Sequence, residues 1–209
     1  MILAGDIGGT KTVLAVFEIT ADGVEKRFER RFPSREYGDF GTILGSFVSE
    51  LRETPEAICL GVAGPVIEGR CRTTNLPWLL EEQAIATGAG ARRARLLNDL
   101  EAAAFGMLHL GSDQRVELNS RAGSRQGNQA VIAAGTGLGE AVLFWDGERY
   151  RPMATEGGHT DFAPRNALED RLLAFARERH PDHVSYERIV SGPGLQLIYD
   201  FLRAEGRQE

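Results

Sequence analysis

Cysteine is scarce in this chain: two residues in 209, Cys59 and Cys71. They lack the close spacing of a metal-binding pair, and they could form one disulfide at most. Met1 runs directly into an apolar, strand-like segment, without the charged region, apolar core and cleavage site of a secretory leader. Reduced thiols and a cytoplasmic location are therefore expected. Positive charge is also in short supply, with 24 Lys and Arg against 30 Asp and Glu and a formal net charge of −6. That balance argues against a nucleic-acid partner. The densest basic group, Arg92, Arg93 and Arg95, reads more simply as a solvated edge before a strand. No apolar run approaches the ~20 residues of a membrane span, so no membrane partner is expected. There is no G-x-S-x-G elbow, which removes the serine-hydrolase class.

A P-loop is missing too, although "GDIGGTKT" (Gly5 to Thr12) comes close. Counting from Gly5, the second glycine of G-x-x-x-x-G-K-[ST] falls at position 10, where Thr10 stands. A P-loop must also open a helix, whose first amides face the phosphate. Here Val13 to Thr20 is an apolar, β-branched run that reads as a strand. The element is strand, glycine turn, strand.

What the chain has in plenty is glycine, 25 residues, clustered at the ends of apolar runs: Gly5, Gly8 and Gly9; Gly61 and Gly64; Gly135, Gly137 and Gly139; Gly157 and Gly158. Glycine at such places serves close backbone approach or a positive φ. With 42% hydrophobic and 26% charged residues the composition is that of a globular protein, long enough for one large domain or two lobes. Periodicity predicts strands near 2–7, 12–19, 24–32, 57–65, 94–99, 130–135, 140–146 and 149–155, with a strand partner near 66–73. Helices are expected near 38–52, 79–87, 100–110, 167–179, 185–190 and 193–204. The polar "SRAGSRQGNQ", 120–129, reads as a loop between lobes. The order of elements mixes hairpins with crossovers, which gives an α/β fold with a mixed sheet.

The hairpin "ILAGDIGGTKTVLAV" has an echo in "VIAAGTGLGEAVLF", Val131 to Phe144. Both run from a small apolar strand through a glycine and threonine turn into an apolar strand. They are either two unrelated tight hairpins or the matching turns of two duplicated lobes, whose backbone amides would form an anion-binding concavity. Thr10 and Thr136 could then add hydroxyl donors.

Between the hairpins, Asn98-Asp99 ends a strand and precedes a helix. A helix N-cap explains one of the two. A carboxylate exposed where strand meets helix also lies where α/β folds bind ligands, and it could take a proton from an attacking hydroxyl. In "EGGHTDFAP", Glu156 and His159 flank a glycine pair, with Asp161 close behind. A lone histidine is usually structural, and His109, His180 and His183 have no comparable neighbours in sequence. Acids beside a neutral imidazole suit the alternating donors and acceptors of a sugar. One histidine without cysteines is too little for zinc. Glu187 reads from the residues alone as a solvated helix carboxylate.

Six segments in order, "GDIGGTKT", "TTNLPW", "LLNDLEAAAFG", "AAGTGLGEA", "EGGHTDFAP" and "VSYERIVSGPG", resemble those of bacterial glucokinases in the hexokinase–actin–Hsp70 superfamily. The resemblance implies an actin-like (ribonuclease H-like) fold of two lobes with mixed sheets and a cleft, residues 1–110 forming the small lobe and 111–209 the first part of the larger one. It implies ATP-dependent phosphorylation of glucose at its 6-hydroxyl, the entry step of glycolysis. Asp99 would be the general base. Asn98, Asp99, Glu156, His159 and Glu187 would bind the sugar; the role of Glu187 comes wholly from the likeness. Gly5, Asp6, Ile7, Gly8, Gly9 and Thr10, with Gly135, Thr136 and Gly137, would lie along the ATP phosphates, and Asp6 near Mg²⁺, in indirect contact.

The related repressor–kinase branch carries a cysteine zinc cluster after its glycine-histidine motif. This chain has "TDFAPRNALEDRLLAFARER" there, so no zinc is expected. The family continues beyond the "SGPG" helix into an adenosine-binding segment and a returning helix, so the resemblance reads the chain as truncated at its C-terminal end. A homodimer is implied by likeness only. A sugar-sensing module without catalysis, an actin-like or chaperone-like ATPase, a kinase for another hexose, and polyphosphate as donor remain alternatives. The first strand at Ile2 leaves no place for a preceding DNA-binding module, and the ATPase reading gives residues 156–159 no purpose.

Overall fold

The computed structural model describes residues 1–209 except 22, 74, 120–125 and 207–209. The expected loop at 120–129 thus lies largely outside the described residues. The chain divides into two units, Met1–Ala103 and Ala104–Glu209.

In the first unit the elements run β1 (Ile2–Ile7), β2 (Lys11–Thr20), β3 (Gly23–Pro33), α1 (Phe40–Val48), β4 (Ala57–Val62), β5 (Arg70–Arg72), β6 (Leu79–Glu81), α2 (Glu82–Ala89) and β7 (Arg93–Asn98). The unit boundary falls inside the next helix, α3 (Asp99–Met107). The large sheet has the order β3-β2-β1-β4-β7. β1 is antiparallel to β2 and parallel to β4, and β4 is parallel to β7, so this sheet is mixed. Period-two alternation decides which face is covered. Leu3 and Ile7 of β1 point with Leu14, Leu60 and Leu96 into one core, which Phe40, Ile43, Leu44 and Phe47 of α1 close. Those α1 residues recur at i, i+3, i+4 and i+7, one face of a helix, and each fully buried side chain contributes roughly 1.5–3 kcal/mol. Asp39 caps α1, accepting from the Thr42 amide at 2.8 Å.

The helix expected over 38–52 ends earlier because Ser49 turns back, its Oγ donating to Ser46 O at 2.8 Å. The helix expected over 79–87 begins only at Glu82. Leu79–Glu81 is instead strand β6, paired antiparallel with β5 through Cys71 and Leu80, both buried. Burial of every second side chain demands a strand there, and local helix propensity yields to it. β5 pairs with β6 in a separate two-stranded sheet.

The second unit contains β8 (Gln129–Ala134), β9 (Leu138–Trp145), β10 (Tyr150–Thr155), α4 (Ala167–Arg177), α5 (Tyr186–Ile189) and α6 (Gly192–Ala204). Its described sheet, β10-β9-β8, is antiparallel throughout. The connections, residues 135–137 and 146–149, are too short for a crossover between parallel strands. The helices pack around Leu172, Ala176, Ile189, Leu197 and Phe201. Asn166 caps α4 and Ser191 caps α6.

The turn between β1 and β2 is anchored from below. Ser34 and Thr12 are fully buried, and their hydroxyls lie 2.9 Å apart. Ser34 Oγ donates to Gly8 O at 2.8 Å and Ser34 N–H to Thr10 O at 3.0 Å. Ser34→Ala strands the Gly8 carbonyl and the Thr12 hydroxyl, and is expected to lower unfolding free energy by about 1–3 kcal/mol in urea titrations; an unchanged midpoint would show that the turn does not need this anchor.

Candidate functional site

In the first unit, both carbonyls of the turn at residues 8–10 that Ser34 reaches are occupied, and Gly8 N–H donates to Lys11 O at 3.0 Å. The amides of Gly9 and Thr10 have no hydrogen-bond acceptor among the described residues. Two uncommitted backbone donors remain, which is what an anion requires. Neither Gly8 nor Gly9 has a positive φ. Gly9 is needed for space: a side chain there would come within 2.7 Å of Asn75 Cβ. Asn75 is set by its own loop, in which Thr73 N–H donates to Trp78 O (3.2 Å), Thr73 Oγ1 to Leu76 O (2.8 Å), and the buried Trp78 indole to Tyr37 O (3.2 Å). Gly5 sits inside β1, where the ends of Leu14 and Leu60 fill the room its side chain would take. It serves core packing, and Ile7 is likewise buried in that core. Only residues 8–10 form the turn itself.

Asp6 faces away from the core, beside Gly61 of β4. The first turn of α3 packs on Gly61, where an added Cβ would lie 3.4 Å from Ala102 Cβ and 3.7 Å from the Asp99 Cα. Asp6 stays open to solvent, yet the protein around it raises its pKa above the ordinary 3.8, first by burial and then by the charge of Asp99, with Lys11 opposing. Burial and Asp99 also push up the thiol of Cys71, whose Sγ packs against Gly64.

The Asn98-Asp99 pair divides its duties. Asn98 is the helix cap: its Oδ1 accepts from Leu100 N (3.0 Å) and Glu101 N (3.3 Å), while Glu101 Oε2 lies 3.4 Å from Asn98 N. This reciprocal arrangement is a capping box with Asn as the cap. Asn98 Nδ2 also donates to Gly64 O at 3.2 Å, leaving one amide hydrogen of its side chain. Asp99, exposed at the first position of α3, accepts only from its neighbour Leu100 N (2.9 Å).

In the second unit, Gly135-Thr136-Gly137 joins β8 to β9. Gly135 N–H donates to Gly137 O at 2.8 Å, Gly192 N–H donates to Gly135 O at 2.8 Å, and Leu138 N–H donates to Glu187 Oε2 at 3.0 Å. The Thr136 and Gly137 amides have no acceptor among the described residues. This turn, like the first, keeps two uncommitted donors. The Glu156–His159 segment lies against the same strand: a side chain on Gly158 would collide with Leu138 O, and one on Gly157 with Glu140. Glu156 and His159 are exposed, His159 Nε2 being 3.8 Å from Glu156 Oε2. Asp161, expected beside His159, instead meets His183, with Nε2 2.7 Å from Oδ1. His183 thus has an acidic partner, distant in sequence, which the strand-like bridge Asp161–Ser185 brings to it. Phe162 N–H to Val184 O and Tyr186 N–H to Thr160 O, both 2.9 Å, tie this segment to α5 and so to Glu187. The second unit therefore gathers the turn at 135–137, the 156–159 segment and Glu187 at one place.

The family model for glucokinase matches residues 3–209. The chain belongs to the glucokinase family. A glucokinase from Nostoc sp. (strain PCC 7120) is 37% identical over 207 residues, covering 97% of this chain and 60% of the relative. The chain thus spans about 60% of the length of the curated relatives it matches. The crystal structure of a glucokinase from an Antarctic psychrotroph, 30% identical, superposes with a TM-score of 0.84 over 100% of this chain and 66% of its own. The actin-like α/β fold implied by the sequence motifs is the fold of this chain. A glucokinase from Balamuthia mandrillaris, solved in complex with glucose, shares that fold at 24% identity, with a TM-score of 0.72 over 100% of this chain and 64% of its own.

Three residues escape sequence reasoning. Asn75 and Ser34 support the first turn, and Glu140 stands beside Gly157. "TTNLPW" and "AAGTGLGEA" carry a signal for Asn75 and Glu140 as matching segments that gave them no role; nothing local marks Ser34. One electrostatic consequence is measurable. Because the fold raises the pKa of Asp6, ionising it costs stability as pH rises from its unfolded value through the higher folded one. Asp6→Asn is expected to raise the melting temperature at about pH 7, with the gain shrinking toward about pH 4; an equal shift at both pH values would contradict this origin.

Proposed function

We propose that the chain carries the sugar-binding and phosphate-binding parts of an ATP-dependent glucokinase, which transfers the γ-phosphoryl group of ATP to the 6-hydroxyl of glucose. The observation that carries this reading lies at the end of β7: Asn98 caps α3, and the Asp99 carboxylate beside it is exposed, engaged through Oδ1 with the Leu100 amide alone among the described residues. In the reaction the 6-oxygen attacks the γ-phosphorus, its proton passes to Asp99, and the bond from phosphorus to the ADP oxygen breaks. The uncommitted amides of Gly9, Thr10, Thr136 and Gly137 hold phosphate oxygens as preorganised donors. The remaining amide hydrogen of Asn98, with Glu156, His159 and Glu187, hydrogen-bonds the other sugar hydroxyls, and a missing hydroxyl would leave a polar group unpaired at about 1–3 kcal/mol.

Asp6 fits a divalent cation. Burial and then the charge of Asp99 raise the pKa of its carboxyl, and of these two it is the Asp99 charge that favours a cation there. Mg²⁺ takes one or two carboxylates together with phosphate oxygens and water, and when bound it offsets phosphate charge. Asp6 would contact it through water, and no zinc is called for. No helix among the described residues is long and apolar enough to cross a membrane. A cytoplasmic, glycolytic role accords with this reading, as does the glucose bound by the Balamuthia relative.

Calorimetric titration of this chain with glucose, against galactose, tests the sugar half directly: selective glucose binding is expected, and none by a folded chain would sink the proposal. In the active protein Asp99→Ala is expected to lower turnover by ~100-fold or more while glucose still binds, and near-normal turnover would remove Asp99 as base. Glu156→Gln should instead weaken glucose affinity by about tenfold or more, measured by the same titration.

A further inference from the structure

Glu187 reaches the second turn from a different element. It sits on α5, a single helical turn that is fixed by Tyr186 N–H donating to Thr160 O at 2.9 Å. From there its Oε2 accepts from Leu138 N–H at 3.0 Å, at the first residue of β9, where Leu138 is buried. Gly137 is shaped for this contact, since any side chain on it would collide with Oε2. On the other side of the turn, Gly192 N–H holds Gly135 O at 2.8 Å. Residues 187–192 therefore grip the turn at both ends, and only Thr136 and Gly137 are left to present their amides.

We infer that Glu187 is a positioning residue for the phosphate-binding turn at 135–137 as well as a sugar contact, so that one carboxylate serves both substrates. This rests on the proposed function for the identity of the two ligands. Oε2 is engaged by the turn, and a carboxylate accepts on both oxygens, so Oε1 remains for a sugar hydroxyl. A carboxylate in this place is otherwise unfavourable beside a polyanion, and its service to the Leu138 amide accounts for its presence. Removing it leaves a buried donor without an acceptor, and the turn loses its fixed direction.

Three variants decide the matter: Glu187→Ala, Glu187→Gln, and Gly137→Ala, which displaces the carboxylate while keeping its charge. Two readouts are used, amide hydrogen exchange at Leu138 in the unliganded chain and the affinity for MgADP without sugar. Glu187→Ala and Gly137→Ala are expected to speed Leu138 exchange and to weaken MgADP binding, each by about tenfold or more, the loss expected for a charge-assisted hydrogen bond. Glu187→Gln keeps a carbonyl acceptor, and is expected to retain both protection and MgADP affinity while losing glucose affinity. If Glu187→Ala and Gly137→Ala leave Leu138 protected and MgADP affinity intact, and only glucose binding falls, Glu187 is a sugar contact alone and the inference is overturned. If the unaltered chain binds no MgADP, the phosphate-binding half of the proposed function fails for this chain by itself, and Leu138 exchange still decides whether Glu187 holds the turn.

Discussion

Close packing against the backbone, permitted by absent side chains, is the constraint on which the candidate site residues of each unit depend. The first turn of α3 packs on Gly61 of β4, and that contact brings Asp99 to the side of Asp6. Gly9 gives Asn75 its seat, Gly137 gives Glu187 its seat, and Gly158 lets the 156–159 segment rest on the carbonyl of Leu138. A methyl group at Gly9, Gly137 or Gly158 meets an atom already there, whereas at Gly61 it would make an ordinary contact with Ala102. None of the four has a positive φ. The glycines are spacers, and their cost in chain entropy is offset by the contacts they admit.

Polar groups in each unit are sorted by what they are committed to. Below the first turn, Ser34 takes its carbonyls; beside the second, Gly192 and Glu187 take a carbonyl and an amide. What is left uncommitted is, in each case, a pair of amides. At α3 the sorting is partial: Asn98 takes the amides of Leu100 and Glu101, and Asp99, which shares the Leu100 amide, stays exposed. Preorganisation of this kind is achieved before any ligand arrives, so the donors need no reorganisation on binding.

Local patterns made much of this legible. The alternation of β1 and β2 and the glycine pair between them identify a hairpin without further information, and the echo at 131–144 was readable for the same reason. The Asn98-Asp99 pair could be seen as cap and ligand, although composition could not say which residue did which; the capping box with Glu101 supplies that answer. Other features were hidden by distance along the chain. Glu187 and Leu138 are 49 positions apart, His183 pairs with Asp161 across the Asp161–Ser185 bridge, and Ser34 serves a turn formed 26 residues earlier. Leu79–Glu81 was misread as helix because its partner strand at Cys71, which imposes the extended backbone, lies outside any helical window.

Cys71 gives the first unit a built-in clock. Its thiol is buried against Gly64 and its pKa is pushed up by burial and by the charge of Asp99, so neither access nor thiolate is available while β5 stays closed. Alkylation at Cys71 must wait for local opening, and its rate then counts how often the strand beside Asp99 comes undone. Cys59, half-buried on β4, provides an internal comparison within the same unit. A single reagent and a mass spectrometer would thus time the breathing of the strand beside Asp99.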